Sequence, residues 1–348
     1  MDRLKEVLRK SECDAIIIQS ELSSHYFSGF YADFSYILAS GDSINYYTDL
    51  RYYDEAVDKL KGFNVKLITA ANALEVIKND ISSFRKIGVD ESNVYYSDFI
   101  RLKAILPQDI ELIGKFVLQR RAVKNADEIL LTETAVDITD SAFGEVLEII
   151  SEGMTEKELV YNLDSRMIKM GADGPAFDTI VAFSENAAFP HWVKSDRKLK
   201  HGDTILMDFG AKYRGYCADM TRVVSFGKAN EEFKTVYNIV KEANERAIDR
   251  ITPGMTAHQG DAIARDYIKA KGYGENFTHS LGHGIGMEVH ESLRVAPNSE
   301  TILKKGMLFT IEPGIYLKGK FGVRIEDLVC LTDKVNRLTG TDKELIEL

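Results

Sequence analysis

Two aspartates in otherwise apolar stretches are the first residues whose position suggests chemistry. Asp208 and Asp219 lie eleven residues apart in TILMDFGAKYRGYCADMTRVVSF. This segment reads as two strands joined by a turn at residues 212–215, so the two carboxylates should lie close together across a hairpin. A carboxylate inside a strand is costly unless it is paired or binds a cation. Considered alone, the pair could equally be two solvated residues at a sheet edge.

Three further residues extend this set of possible metal ligands. His283 lies in LGHGIG, where glycines let the backbone approach closely and leave one imidazole projecting. Glu312 ends the apolar run FTI before a Pro-Gly turn, and Glu326 lies within VRIEDLVCL. Each of the three could singly be a satisfied core or edge residue. Four carboxylates and one imidazole together form an oxygen-rich set, which favours Mn²⁺, Co²⁺ or Fe²⁺ over a structural zinc site built on cysteine.

The charge of this set indicates how many cations it would hold. Four ionised carboxylates carry four negative charges, and two divalent cations would balance them. A single cation would leave a buried excess of negative charge. We therefore predict two divalent cations per chain, roughly 3.5 Å apart with a water or hydroxide between them. Mn²⁺ and Co²⁺ are favoured, and Fe²⁺ and Zn²⁺ are the alternatives.

The elements that must position these residues fall into two domains, as the length of 348 residues favours. The first third alternates helices and short strands, which predicts an α/β domain with a mixed sheet. A long amphipathic helix begins within residues 118–129. We place the domains at residues 1–119 and 120–348. The predicted elements of the first domain are strands at Asp14–Gln19, Tyr36–Ala39, Ile44–Thr48, Val65–Ile68 and Lys86–Asp90, and a helix at Arg51–Lys61.

The second domain contains two similar segments. Residues 150–191 open with ISEGMT and residues 251–290 open with ITPGMT, and each continues into a helix and then a strand-like run that ends in a histidine. This pattern suggests an internal duplication with approximate two-fold symmetry, although chance similarity of a short helix start is the alternative. Two such units could curl one mixed sheet around a central cleft, with helices outside.

Composition excludes several classes of protein. The chain is 45% hydrophobic and 28% charged, as is typical of a soluble globular protein. Its net charge of -10 argues against a nucleic-acid partner, because phosphates attract clustered Lys and Arg. The three cysteines have no disulfide or zinc-ribbon spacing. We find neither a secretory signal nor a membrane-spanning run of about 20 apolar residues, so we expect a cytoplasmic location without a membrane partner.

Four motifs resemble those of one known family. The motifs DFG…ADMTR, GHGIG…VHE, EPG and RIED, in this order, are similar to those of the pita-bread metallopeptidases, which include methionine aminopeptidase, aminopeptidase P and prolidase. In the first domain, HYFSGF, YYTDLRY and IGVDE resemble the creatinase/prolidase-type N-terminal domain. The resemblance implies an α/β (α+β) fold. It comprises a smaller N-terminal creatinase/prolidase-type domain and a C-terminal pita-bread domain with a curved mixed sheet and outer helices.

The resemblance also implies roles for individual residues. Asp208 should bind one metal, Asp219 and Glu326 should bridge both, and His283 and Glu312 should complete the other site. Glu312 should also accept the proton of the nucleophilic water, and His191 and His290 should flank the scissile peptide bond. His279 and Arg324 match polar positions near a proline-side pocket. Arg294 could meet a substrate carboxylate, or it could be a solvated surface residue.

The function implied is metal-dependent hydrolysis of the peptide bond before proline. Because the N-terminal domain is compact, the chain looks more like a prolidase, which cleaves dipeptides, than an aminopeptidase P, which cleaves longer peptides. Methionine aminopeptidases generally lack such an N-terminal domain, and creatinase-like enzymes do not keep the metal ligands. A non-catalytic peptide-binding module of the same fold is the remaining alternative. The family resemblance also implies a homodimer.

Overall fold

The computed structural model describes residues 2–106 and 109–348, and it divides into two compact units, Met1–Arg121 and Ala122–Leu348. The domain boundary that we predicted after residue 119 remains a prediction. In chain order, the first unit contains α1 (Asp2–Ser11), β1 (Ala15–Ile18), α2 (Glu21–Ser28), β2 (Ser35–Ser40), β3 (Ile44–Thr48), α3 (Tyr53–Lys59), β4 (Asn64–Leu67), α4 (Ala73–Ile81), β5 (Lys86–Val89), α5 (Tyr96–Lys103), β6 (Asp109–Leu112) and α6 (Gly114–Ala122).

The strands of the first unit form one six-stranded mixed sheet in the order β4-β3-β2-β1-β5-β6. The β1–β2 and β2–β3 pairs are antiparallel, and the other three pairs are parallel. Strand β1 has the sequence AIII and is buried along its whole length, as expected for a strand covered on both faces. The predicted mixed sheet is confirmed. Strand β6 and helices α2, α4 and α5 were not anticipated.

The long helix that we predicted to begin within residues 118–129 is α7, which is 22 residues long and begins at Ala126. A separate shorter helix, α6, precedes it and ends at Ala122. Asn125 caps α7, because its side chain accepts a hydrogen bond from the Glu128 N–H while the Glu128 carboxylate accepts one from the Asn125 N–H. This reciprocal capping box fixes the helix start inside a pattern that reads as continuous.

The second unit carries the motif residues. Its elements are α7 (Ala126–Leu147), α8 (Glu156–Lys169), β7 (Gly174–Pro175), β8 (Ile180–Phe183), a 3₁₀ turn (Ser184–Ala188), β9 (Thr204–Phe209), β10 (Ala211–Tyr213), β11 (Tyr216–Cys217), β12 (Met220–Ser225), α9 (Glu231–Arg250), α10 (Ala257–Ala270), a 3₁₀ turn (Gly274–Asn276), β13 (Gly282–His283), β14 (Arg294–Val295), β15 (Leu308–Ile311), β16 (Gly314–Leu317), β17 (Phe321–Arg324), β18 (Asp327–Leu331) and β19 (Val335–Arg337). No helix of the described residues is both long enough and apolar enough to span a membrane.

The strands of the second unit, which we expected in one curved sheet, are divided by their hydrogen bonds into five small sheets. These are β11-β10-β7, β12-β9-β8, β13-β14, β15-β18-β19 and β16-β17. Every pair of these strands in the described part of the chain is antiparallel. The predicted α/β fold class is confirmed.

The two similar segments seen in the sequence have the same helix start. Helices α8 and α10 are both 14 residues long, and each begins after a threonine N-cap with a complete capping box. Thr155 and Thr256 also form equivalent isolated bridges, to Lys198 and Ile302 respectively. The repeated GMT sequence therefore corresponds to a repeated local structure.

Candidate metal centre

The hairpin predicted around Asp208 and Asp219 is present. Strands β9 and β12 pair with Asp208 opposite Thr221, and the turn at Arg214–Gly215 has positive φ at both residues, as in the tight turns that suit hairpins. The same register places Gly210 opposite Asp219. A Cβ atom at Gly210 would lie 1.8 Å from the carbonyl oxygen of Ala218, so only glycine permits this close approach.

His283, Glu312 and Glu326 reach the same place from the ends of other strands: Glu312 follows β15, and Glu326 precedes β18. His283 ends β13, and its Nε2 lies 3.5 Å from a carboxylate oxygen of Asp219 and 3.5 Å from one of Glu312. One potential ligand atom from each of Asp219, His283 and Glu326 lies within 4.8 Å of the other two. The structure thus brings together residues that are more than 100 positions apart in the sequence.

Several atoms of these residues that could bind a cation receive no hydrogen bond within the cluster. The His283 Nδ1 lies 3.2 Å from the Gly284 carbonyl and donates to it, which leaves Nε2 as the ring nitrogen that faces the two carboxylates and could bind a metal. The Oδ1 atoms of Asp208 and Asp219 are buried and have no hydrogen-bond partner among the described residues. Buried acceptors without donors are rare. These residues therefore fit a cation. The hydrogen bond from His283 Nδ1 to the Gly284 carbonyl is also typical of metal sites, because it orients the imidazole whose other nitrogen binds the metal.

The acidic groups also perturb one another. Burial, and then the charges of Glu326 and Asp208, raise the pKa of Asp219 well above its ordinary value. Burial and the charge of Glu326 do the same to the pKa of Glu312. Burial and the charge of Asp208 raise the pKa of Glu326 to about 7. Such mutual repulsion in a dry site is removed when positive charge is bound.

Arg324 lies beside this cluster, and its donors are used within the chain. Its Nη2 donates to the Asp208 carboxylate, and its Nε donates to the Thr221 hydroxyl at 2.9 Å. The Thr221 hydroxyl in turn donates to Glu326 at 2.6 Å. Arg324 therefore orients one acidic side chain directly and a second through Thr221.

His279, which we expected near the substrate, is likewise bonded on both ring nitrogens. Its Nδ1 donates to the Ser280 carbonyl at 2.8 Å, so Nε2 accepts from the Tyr316 hydroxyl at 2.8 Å. Tyr316 accepts from Arg324 Nη1 at 2.8 Å. Burial and then the charge of Arg324 lower the pKa of His279 to about 3, which keeps the ring neutral.

Sequence reasoning missed Thr221 and Tyr316. Thr221 follows Asp219 by two residues in the ADMTR motif and so lies on the same face of its strand. That spacing was a usable signal. The pairing of Tyr316 with His279 joins strand β16 to a loop 37 residues earlier in the chain, and no sequence pattern indicates it.

The remaining predicted residues lie at the exposed side of the cluster. His191, His290 and Arg294 are all exposed. The His290 ring lies 4.2 Å from the His283 ring, centroid to centroid. Burial and then the charge of His283 lower the pKa of His290 to about 4, and the charges of His191 and Arg294 act in the same direction. His290 and Arg294 therefore both adjoin His283, and the three exposed side chains are accessible to solvent.

Comparison with known proteins identifies the chain. Residues 131–333 match the description "Metallopeptidase family M24", and residues 1–123 match "Creatinase/Prolidase N-terminal domain". The chain belongs to metallopeptidase family M24. The predicted family resemblance is thereby confirmed, as is the prediction of a metal-dependent hydrolase. Membership of family M24 implies divalent metal ions.

Several members of family M24 are similar along the full chain. An Xaa-Pro dipeptidase of Pyrococcus furiosus is 37% identical over 349 residues, which is 99% of each chain. The solved structure of an Xaa-Pro dipeptidase from Bacillus anthracis has a TM-score of 0.95 at 36% identity and covers 100% of this chain and 98% of that one. An X-Pro aminopeptidase from Thermotoga maritima has a TM-score of 0.92 at 40% identity, with 98% and 99% covered.

Proposed function

We propose that this chain is an Xaa-Pro dipeptidase that hydrolyses the peptide bond before proline. The observation that carries the chemistry is the cluster of buried acceptors, in which His283 Nε2 faces the carboxylates of Asp219 and Glu312 at 3.5 Å. Two observations support dipeptides as the substrates. Arg294 is exposed at the edge of this cluster, and the chain is similar over its full length to Xaa-Pro dipeptidases.

Five residues would hold two divalent cations, with Mn²⁺ or Co²⁺ proposed as the metals. They are Asp208, Asp219, His283, Glu312 and Glu326. When bound, the cations would polarise the substrate carbonyl and lower the pKa of a water molecule. The cluster is suited to this because its potential ligands are mostly carboxylates, which bind Mn²⁺ readily. In addition, one carboxylate oxygen of Asp208 and one of Asp219 receive no hydrogen bond from the described residues.

The chain's own residues would move the protons and stabilise the charge. Glu312 accepts a proton from the attacking water and passes it to the proline nitrogen as the C–N bond breaks. His290 and His191 donate hydrogen bonds to the oxygen that becomes negatively charged at the tetrahedral stage. A neutral His290 can do so, because each neutral imidazole retains one N–H.

His279, Tyr316 and Arg324 would form the wall of the pocket for the proline ring. Their polar atoms are bonded to one another at 2.8 Å and to residues of the cluster. An X–Pro bond lacks an N–H, so a pocket for the ring has no need of an acceptor at that position. We propose that these residues shape the pocket, and that Arg294 binds the carboxylate of the dipeptide.

An Xaa-Pro aminopeptidase that acts on longer peptides is the second candidate. It is favoured by the 40% identity to the X-Pro aminopeptidase from Thermotoga maritima. A non-catalytic peptide-binding module is a more distant alternative, because the complete set of five donors would have no purpose in it. We further propose a homodimer in the cytoplasm.

Hydrolysis of Met-Pro and of a longer Met-Pro-peptide by metal-stripped protein, with and without added Mn²⁺ or Co²⁺, tests the proposal. We expect metal-dependent cleavage of Met-Pro and slower cleavage of the longer peptide. Preferential cleavage of the longer peptide would identify an aminopeptidase instead. Absence of cleavage by protein with about two metals bound per chain would contradict both and favour the binding module.

A further inference from the structure

Glu156, outside the metal centre, is a fully buried carboxylate that accepts five hydrogen bonds from one segment of the chain. It is the first residue of α8. No basic side chain of residues 2–106 and 109–348 forms an ion pair with it. The five donors are the Phe183 N–H (2.9 Å) and Asn186 Nδ2 (2.8 Å) to Oε1, and Trp192 Nε1 (2.9 Å), the Ser195 N–H (2.8 Å) and Ser195 Oγ (2.7 Å) to Oε2.

The internal repeat shows that the helix itself does not require this carboxylate. Helix α10 has the same length and the same capping box as α8, and Ala257 occupies the position that Glu156 occupies in α8. The N-terminus of α8 stabilises a negative charge, but the helix can form without one, as α10 does. The five donors therefore account for the presence of Glu156 better than helix formation does.

The bonded segment, residues 183–195, carries His191 between its two attachment points. On one side the Phe189 ring stacks on Trp192 at 5.7 Å. The segment also packs closely on β17, because a Cβ atom at Gly322 would lie 1.9 Å from the Ala187 carbonyl oxygen. His191 itself is exposed. The carbonyl of the preceding residue, Pro190, accepts a hydrogen bond from Arg324 Nη1 at 3.4 Å, and Arg324 also donates to Asp208, so this part of the segment lies beside the metal centre.

We propose that Glu156 is a positioning residue that acts on the reaction through His191. One carboxylate accepts donors from both ends of the segment, so it sets the separation of those ends and hence the place of the residue between them. The inference rests on the proposed function only where it assigns His191 a contact with the substrate. The attachment of the segment to Glu156 does not depend on that function.

Glu156→Gln tests the proposal, because it replaces one carboxylate oxygen by an amide nitrogen. That nitrogen cannot accept the hydrogen bonds that the oxygen accepted, since it is itself a donor. Trp192 is the only tryptophan in the chain and bonds directly to Glu156, so its fluorescence reports on the segment. We expect a red-shifted emission with greater quenching by acrylamide, unchanged metal content and a fall in kcat of about 10- to 100-fold, the usual cost of misplacing a group near the reacting atoms.

A double-mutant cycle with His191→Ala separates positioning from a general structural role. If Glu156 acts through His191, Glu156→Gln should cause little further loss of kcat in the His191→Ala background. Losses that multiply fully would overturn the proposal, and so would wild-type emission and turnover in Glu156→Gln. Glu158→Ala is the matched control, since Glu158 caps the same helix through Thr155, and it should leave the emission and kcat unchanged.

Asn186→Ala is the second variant should Glu156→Gln fail to fold. It removes one donor at a half-buried position, and we expect a several-fold loss of kcat that disappears in the His191→Ala background. Retention of that loss in the double variant would contradict the proposal. If the wild-type protein cleaves no X-Pro substrate, the proposed function fails, whereas the emission of Trp192 still decides whether Glu156 holds the segment.

Discussion

Arg294 lies directly opposite His283 in the two-residue antiparallel ladder of β13 and β14. Directly opposed residues of such a pair extend to the same face of the sheet. His283 is buried, whereas Arg294 is exposed. Arg294 forms no ion pair with any carboxylate of residues 2–106 and 109–348, so its positive charge, on the same face as His283, is available to an anionic group of a ligand.

Arg294→Met should reduce the preference for a free substrate carboxylate. We expect kcat/KM for Met-Pro to fall about 10- to 100-fold, since a hydrogen bond to a charged group contributes about 1.5–3 kcal/mol. The value for Met-Pro amide should change little, and Arg250→Met, at an exposed helix end, serves as the control. Equal losses on the acid and the amide would remove the carboxylate-binding role from Arg294.

Asp219→Asn should abolish activity, because a neutral amide replaces a proposed ligand shared by two cations. Metal content measured by mass spectrometry and kcat at saturating Mn²⁺ check this expectation. Asp249→Asn, an exposed position in α9, should behave as wild type. Turnover of the Asp219→Asn variant at the wild-type rate would exclude the proposed metal centre.

His290→Ala should lower kcat by roughly 10²- to 10³-fold, the usual cost of removing a donor to the developing oxyanion. Metal content should stay the same, because His290 contacts His283 at 4.2 Å between ring centroids but is not among the proposed ligands. Metal analysis beside steady-state kinetics distinguishes the roles. A loss of metal with normal kcat after metal is restored would make His290 a structural neighbour of the ligands only.

Thr221→Val should weaken metal binding about 10- to 100-fold, the usual effect of removing a residue that orients metal ligands. The change removes the hydroxyl that joins Arg324 to Glu326 and keeps the size of the side chain. Titration of stripped protein with Mn²⁺, followed by activity, measures the affinity. The control is Thr132→Val, because the buried Thr132 hydroxyl has no hydrogen-bond partner within the described residues.

Asp203→Asn should destabilise the protein near neutral pH and have less effect in acid. Burial raises the pKa of Asp203, but hydrogen bonds from Arg197, the Lys200 N–H and Ser184 outweigh it, so the pKa lies below its ordinary value of 3.8. Stability from a lowered pKa is fully present above the ordinary value and is lost as the pH falls through the folded-state value. We expect a difference of about 1–3 kcal/mol at pH 7.

Denaturant unfolding of wild type and Asp203→Asn at pH 7 and at a pH below the folded-state pKa of Asp203 measures this difference. The gap between the two proteins should shrink at the lower pH, where the wild-type carboxyl is protonated and resembles the amide. A gap of the same size at both values would show that the charge of Asp203 does not contribute.

The parts of the site that follow local rules could be predicted from the sequence. The Asp208–Asp219 hairpin depends on a turn and alternating strands, and both signals lie within one short segment. The bond between His279 and Tyr316 could not be predicted, because it depends on how a loop and a distant strand meet in space. Glu156 was equally hidden, since an acidic residue in the first turn of a helix reads as a solvated group.

The close approach at Gly210 has a counterpart at Gly282, where a Cβ atom would lie 1.8 Å from the Thr310 carbonyl oxygen. Asp219 directly follows Ala218, and His283 directly follows Gly282, so each of these residues adjoins one contact between main chains. The distances between the proposed metal ligands are therefore set by contacts between main chains. The ligand side chains have little room to adjust those distances. An engineer could exchange one ligand type for another at this centre. Enlarging it for a bigger cation such as Ca²⁺ would require moving the strands themselves.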